Sequence, residues 1–384
     1  MNIGIDIRPL LNRNKTGVGE YTFELLNAIF KIDKINQYYL FYNCSKNLRH
    51  QIEFWQQNNI HYVKTAYPNK LLNLGLASGL VNLDNLLKTK IDYWFCSNLN
   101  FFNTQTPYLL TIHDLTFHLF PQFYTLKQRL WHRIINPKRQ CQNAALILAP
   151  SHNTKRDLIN YYQIPAEKIK VIYPGINPNF LAARQNLAID QSRVIKKYNL
   201  PENFLLFFGA IEPRKNIASI LKAYEKLPKY ITEKYSLIIA GASGWKNKKI
   251  YSLANQSPLQ KQIKFLGYIA EADKPALYSL STLFIFNSFY EGFGFPIIEA
   301  MSMGVPAIAS NRSSLAEIAG NSAYLVNPNN PVDLKEAIKN LLTDSELKNL
   351  YIKNGRLLAV KFSWEESAKQ WLESLNHLNL PITK

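Results

Sequence analysis

Along this chain, short runs of apolar residues alternate with longer stretches in which apolar positions return every three or four residues. In the first half the runs are "NIGIDI", "YYLFYN", "IHYVKT", "DYWFCS", "PYLLTIHD", "ALILAPS" and "IKVIYPG". Near-continuous apolar runs of this length fit strands buried on both faces, and the amphipathic segments between them fit helices that cover those faces. A polar stretch over residues 181–200, ending in "NLPEN", interrupts the rhythm, which then restarts with "FLLFFGA", "SLIIAGA", "IKFLGYI", "TLFIFNS", "PAIAS" and "AYLVNP". The pattern predicts an α/β protein of two doubly wound parallel-sheet domains, residues 1–180 and 201–362, with residues 181–200 as their linker. No short-period repeat is visible, and the two halves are not obviously similar.

In such sheets ligands meet the carboxyl ends of strands, beside helix N-termini, so the residues just after each strand carry the information. After the first strand, "TGVGEYTF" places Gly17 and Gly19 ahead of an amphipathic helix, where paired glycines let a phosphate or sugar approach backbone N–H groups. The third glycine of a dinucleotide fingerprint is missing, and an ordinary strand-to-helix turn would look the same. "PYLLTIHD" ends in His113 and Asp114; a histidine there can bond a ligand hydroxyl or phosphate, or satisfy a nearby carbonyl. In "FLLFFGAIEPRKNIASIL", Arg214 and Lys215 stand just before a helix. A forked guanidinium and a compact ammonium suit an anion, with a solvated basic turn as the plain alternative.

"TLFIFNSFYEGFGFPIIEAMSMG" is the most informative segment. A buried strand leads into a loop with Gly292 and Gly294; Pro296 suits the first turn of a helix that Gly304 closes and Pro306 stops. Glu291 then falls in the loop and Glu299 about one turn into the helix, with backbone N–H groups between them facing a phosphate. Spacing alone is not the signal, because the same separation recurs at Glu225/Glu233 and Glu365/Glu373, which have no glycine loop.

Composition narrows the classes. A chain of 384 residues with 47% hydrophobic and 19% charged content suits two packed domains. Its apolar runs are strand-sized, too short to span a bilayer, and the strand-like N-terminus lacks a leader pattern, so a cytoplasmic protein is expected. Cys44, Cys96 and Cys141, odd in number and unpatterned, fit reduced thiols better than disulfides or a metal site. Net charge is +18, and the first 180 residues carry 20 Lys and Arg against 10 Asp and Glu. The densest basic segment is "YTLKQRLWHRIINPKRQ", residues 124–140. As one helix it would align Leu126, Leu130, Trp131 and Ile134 in an apolar stripe flanked by Lys127, Arg129 and Arg133. That pattern fits a helix peripheral on an anionic membrane surface, and equally a domain helix with a solvated basic face. No nucleic-acid recognition motif accompanies the charge.

At these residues the chain resembles the GT-B-fold retaining glycosyltransferases of family 4. "EGFGFPIIEAMSMGVPAIAS" is similar to that family's signature, two glutamates flanking a glycine loop, and "GAIEPRKN" to its donor-phosphate segment. "TGVGEYT" resembles its first-domain glycine loop, "TIHDL" its active-site histidine segment, and "FSWEESAKQWLESL", within residues 363–384, the C-terminal helix that crosses back to the first domain. The resemblance implies two Rossmann-like domains facing a cleft. It also implies transfer of a hexose, with retention, from a nucleotide-diphosphate sugar to a hydroxyl of a glycan or lipid-linked acceptor. Glu291 and His113 would be catalytic, meeting the donor sugar, and Glu299 would hold the ribose. Arg214 and Lys215 would neutralise the diphosphate beside the backbone of Phe293, Gly294 and Phe295. Gly17 and Gly19 would bind the donor, Gly19 near the transferred group, and Tyr268 and Ile269 would hold the base.

Two departures from the family pattern stand out. Ala210 occupies a position where many relatives carry arginine, which leaves Arg214 to substitute, and Phe295 replaces a commoner leucine. No Asp-x-Asp is present, so the expectation is a reaction without metal or cofactor, the leaving group being stabilised by cations and helix termini. The motif order leans towards bacterial mannosyl- and rhamnosyl-type transferases of surface polysaccharide and a GDP-mannose donor. A UDP-sugar-dependent glucosyl- or N-acetylglucosaminyl-type transferase, a sugar-nucleotide epimerase of the same fold and a non-catalytic nucleotide-sugar-binding protein stay open. A glycoside hydrolase fits less well, because Glu299 belongs to a helix beside a phosphate-type loop.

Overall fold

Seven parallel strands form the first sheet and six the second, in a computed structural model that describes residues 1–11, 17–44, 54–183 and 187–379. The first sheet comprises β1 (Asn2–Asp6), β2 (Gln37–Asn43), β3 (Ile60–Thr65), β4 (Tyr93–Cys96), β5 (Tyr108–Thr111), β6 (Leu146–Ala149) and β7 (Ile169–Val171), in the order β3-β2-β1-β4-β5-β6-β7. The second comprises β8 (Phe204–Phe208), β9 (Ser236–Ala240), β10 (Ile263–Gly267), β11 (Leu283–Phe286), β12 (Ala307–Ser310) and β13 (Tyr324–Val326), in the order β10-β9-β8-β11-β12-β13. Every pairing is parallel, and the central strands β1, β4, β5, β8 and β11 are buried almost throughout, as helices on both faces require. The strand order reverses between β1 and β4 in one sheet and between β8 and β11 in the other. At such switch points the loops of neighbouring strands part and leave a crevice.

The chain divides into two units that do not follow sequence order. The first holds Met1–Leu115, Leu126–Gly175 and the chain from Trp364 on; the second holds Thr116–Thr125 and Ile176–Ser363. Within the first unit the Trp364–Asn379 helix packs by its apolar face: Trp371 meets Phe95 edge-on at 5.2 Å and Trp364 meets Tyr21 at 5.7 Å. Its polar groups reach β7 and the residues after it, Ser367 donating to the Tyr173 carbonyl and the Gln370 carbonyl accepting from Lys170.

Three local expectations need correction. Residues 124–140 are not one helix: Leu126–Ile135 and Pro137–Asn143 are separate, because Asn136 takes a left-handed φ of 48° ahead of Pro137. Proline disfavours helical geometry in the residue before it, and here that residue turns the chain. Gly17 and Gly19 lie inside the first turn of the Gly17–Ile32 helix rather than ahead of it. That turn's N–H groups have no intrahelical partner, so glycine costs little there. Most of the polar stretch 181–200 is the Leu187–Tyr198 helix; residues 184–186 lie outside the described residues. It is anchored by the fully buried Val194 and by Asp273, whose carboxylate collects Arg193, Lys197 and Tyr198. All three cysteines are free thiols, and no helix among the described residues is long and apolar enough to cross a membrane.

Candidate active site

Strands β8 and β11 are neighbours at the second switch point, and the loops that leave them meet. After β8 the chain passes through Gly209 into a short turn, Pro213–Lys215, before the Ile217–Glu225 helix. The β9 loop closes on it from one side: a Cβ on Gly241 would lie 2.0 Å from the Gly209 carbonyl oxygen, so only glycine fits there. After β11 the loop carries Glu291 and enters the Phe295–Ser302 helix through Gly294 at φ 104°, with Pro296 in the first turn. No side chain caps this helix start, where aligned peptide dipoles favour negative charge.

The two loops are joined by charges, with Glu291 and Lys215 buried and Arg214 half-buried. Glu291, 6% exposed, accepts from Arg214 Nη1 on Oε2 and from Lys215 Nζ on Oε1, each at 2.7 Å. Arg214 also donates from Nε to Glu212 Oε1 at 3.0 Å and from Nη1 to the Tyr290 carbonyl at 3.1 Å. Lys215, 8% exposed, rests over the Phe286 ring at 4.9 Å. These cations are therefore not a solvated turn. Burial alone would push the Glu291 carboxyl up, but the Arg214 and Lys215 charges outweigh it and hold the group below its ordinary value. Burial draws the Lys215 ammonium down, with Glu291 opposing. The loop is pinned from behind: Ser313 Oγ accepts from the Glu291 N–H at 3.0 Å, and Ser314 Oγ donates to the carbonyls of Glu291 and Phe293.

Glu299 takes a different partner. It lies one turn into its helix, 3% exposed, and its Oε2 accepts from the Tyr278 hydroxyl at 2.7 Å. Tyr278 comes from the Lys274–Leu280 helix and is itself packed by Phe180 and Phe208. Phe293 is buried, Phe295 half-buried and Tyr268 exposed, whereas the Ile269 side chain is core, leaving only its backbone for a ligand.

In the first unit, His113 follows β5, and Gly17 and Gly19 open the helix after β1. Tyr21, from that same helix, meets the His113 ring edge-on at 4.8 Å and links them. His113 Nε2 lies 2.9 Å from the Ser97 carbonyl, which can only accept, so Nε2 carries the proton and Nδ1 is the lone-pair nitrogen of a neutral ring. Burial draws this imidazole below its ordinary value. The simple role of satisfying a carbonyl is thus filled by one ring nitrogen.

Sequence reading passed over Glu212, Tyr278, Ser313 and Ser314. Glu212 stands two residues before Arg214 within a segment already singled out, a signal that was available; Tyr278 and the serines come from other elements and left no local sign.

Two parallel-sheet Rossmann-like units, with Arg214 and Lys215 gathered on Glu291 at a switch point, define a doubly wound α/β protein. Comparison with known proteins narrows this class. The profile described as "Glycosyl transferases group 1" matches residues 189–358, and that described as "Glycosyltransferase Family 4" matches residues 17–180. The chain is 29% identical over 371 residues to "O-antigen chain mannosyltransferase B" of Escherichia coli, covering 94% of this chain and 95% of that protein. It is 26% identical to "O-antigen chain mannosyltransferase RfbU" of Salmonella typhimurium, covering 86% and 88%. Among solved structures, a sucrose-phosphate synthase from Thermosynechococcus elongatus superposes with a TM-score of 0.76 at 20% identity, covering 98% of each chain. The fold is GT-B, and the chain belongs to the family 4 glycosyltransferases.

Proposed function

We propose that this enzyme is a retaining hexosyltransferase that takes its sugar from GDP-mannose and passes it to a hydroxyl of a lipid-linked or polysaccharide glycan, without a metal ion. The observation that carries the reading is the Arg214–Glu291–Lys215 cluster, a buried lysine and a half-buried arginine held by one buried carboxylate at a switch point. A nucleotide diphosphate would take over those cations, and Glu291, released, would turn to the sugar. Glu299, held by Tyr278, would grip the ribose, and His113 would accept a sugar hydroxyl on Nδ1. The bond from the anomeric carbon to the phosphate oxygen breaks as that to the acceptor oxygen forms, and the leaving phosphate takes the acceptor's proton. No enzyme nucleophile is needed, and the cations supply the charge stabilisation.

The two relatives, both O-antigen chain mannosyltransferases, support mannose as the sugar and a glycan as the acceptor. A thermal-shift panel of GDP-mannose, UDP-glucose, UDP-N-acetylglucosamine and ADP-glucose tests the donor. GDP-mannose should raise the melting temperature most. A larger shift with a UDP sugar would replace the donor, and no shift with any would contradict nucleotide-sugar binding.

A lipid-linked acceptor would bring the enzyme to a membrane, and the Leu126–Ile135 helix supports this. Leu126, Leu130 and Ile134 are exposed on one stripe, while Trp131 turns inward to Phe101. Residues 126–143 carry five Lys and Arg and no carboxylate. We propose that this face docks on anionic lipid. Flotation with vesicles containing phosphatidylglycerol should retain the protein at low salt and release it at high salt; absence of binding at low salt would overturn the assignment.

A further inference from the structure

Residues 116–125 lie in the first half of the sequence yet belong to the second unit. They form a short helix, Thr116–Leu119, and a turn, Pro121–Phe123, whose rings make one aromatic cluster with residues far along the chain. Phe123 stacks on Phe289 with centroids 5.6 Å apart and planes 19° off parallel. Phe120 lies 5.6 Å from Tyr290, and the two phenylalanines stack on each other at 5.6 Å. The strap is also clamped from the β9 loop: the Trp245 indole N–H donates to the Phe123 carbonyl and the Lys246 ammonium to the Gln122 carbonyl, each at 2.7 Å, while Tyr124 stacks on Trp245 at 5.7 Å.

Phe289 and Tyr290 are the two residues before Glu291, and both are bound to Arg214 through their backbones. The Phe289 N–H donates to the Arg214 carbonyl at 3.0 Å, and Arg214 Nη1 reaches the Tyr290 carbonyl at 3.1 Å. That same nitrogen donates to Glu291. The strap rings therefore press on the residues that set where the guanidinium and the carboxylate meet.

We propose that Phe120, Phe123 and Trp245 are positioning residues for the Arg214–Glu291 pair, acting on binding of the diphosphate and sugar of the donor. The proposal rests on the donor-site reading of that pair. Relaxed by about 1 Å, the loop would leave both groups out of reach of the phosphate, a displacement that costs on the order of 100-fold in rate in well-positioned sites.

The test uses the full-length enzyme. Phe123→Ala should weaken GDP-mannose binding by about tenfold or more and lower kcat/KM for its hydrolysis in step. GMP, which lacks the β-phosphate and sugar, should bind as to wild type, and Phe123→Tyr should restore the donor. Trp245→Phe keeps the ring but loses the N–H, and should show a smaller defect of the same kind. Equal weakening of GMP and GDP-mannose, or a fall in melting temperature with donor affinity unchanged, would mean a purely structural strap and overturn the proposal. Lys215→Met serves as the control: if it leaves donor affinity unchanged the donor-site reading itself fails, whereas if it weakens binding and Phe123→Ala does not, only the strap assignment fails.

Discussion

Replacing Lys215 by methionine keeps the aliphatic stem and removes the charge, which isolates one part of the buried cluster. Glu291 would then keep a single cation, Arg214, at 2.7 Å. Breaking a buried ion pair by removing one partner costs about 3–5 kcal/mol, and the surviving arginine places this case near the lower limit, about 3 kcal/mol. Glu291→Gln should cost a similar amount, since it leaves two cations facing an amide. The double variant removes both charges together and should fall short of the sum by about 1–3 kcal/mol, the coupling expected of residues in one network. Urea unfolding followed by tryptophan fluorescence measures all three, with unchanged m-values as the check on two-state comparison. A charge-assisted hydrogen bond to phosphate contributes about 1.5–3 kcal/mol, so Lys215→Met should also weaken GDP binding roughly 10- to 150-fold by calorimetry. Strictly additive stabilities, or single variants within about 0.5 kcal/mol of wild type, would refute the account of the cluster.

Other consequences are open to measurement. Tyr278→Phe removes the hydroxyl that donates to the buried Glu299 carboxylate, at a cost of about 1–3 kcal/mol; GMP affinity by calorimetry should fall, and an unchanged affinity would detach Glu299 from the ribose. Gly294→Ala puts a Cβ 2.5 Å from Leu315 Cδ2 at a φ of 104°, and should lower the melting temperature and abolish donor binding together. The depressed carboxyl of Glu291 contributes stability that is fully present above the ordinary carboxylate range and is lost as pH falls through the lower folded value. Acid unfolding of Glu291→Gln should therefore be shallower below that pH than that of wild type.

How much of this was legible in the sequence varies with the origin of each feature. The strand, glycine loop and helix at residues 283–302 could be read because burial on both faces, Gly294 and Pro296 all act locally. So could the alternation that makes both sheets parallel. The break at Asn136 was also written locally, in the proline that follows it, but the apolar stripe at helical spacing masked it. Residues 181–200 look like a linker because no strand-sized apolar run falls in them; the helix over 187–198 depends on Val194 and on Asp273, 75 to 80 residues away from the Tyr198, Lys197 and Arg193 that it collects. The pairing of Glu291 with Arg214 and Lys215, and the seating of Phe120 and Phe123 on Phe289 and Tyr290, arise from tertiary approach alone. No spacing in the chain encodes them.

In the proposed function, the cluster of Arg214, Lys215 and Glu291 handles the diphosphate of a sugar nucleotide. Release of GDP from GDP-mannose without acceptor, compared between wild type and Lys215→Met, tests it most directly. Wild type should release GDP slowly but above background and the variant at least tenfold less, in keeping with about 1.5 kcal/mol or more from the missing contact. Equal release by the two proteins would contradict it.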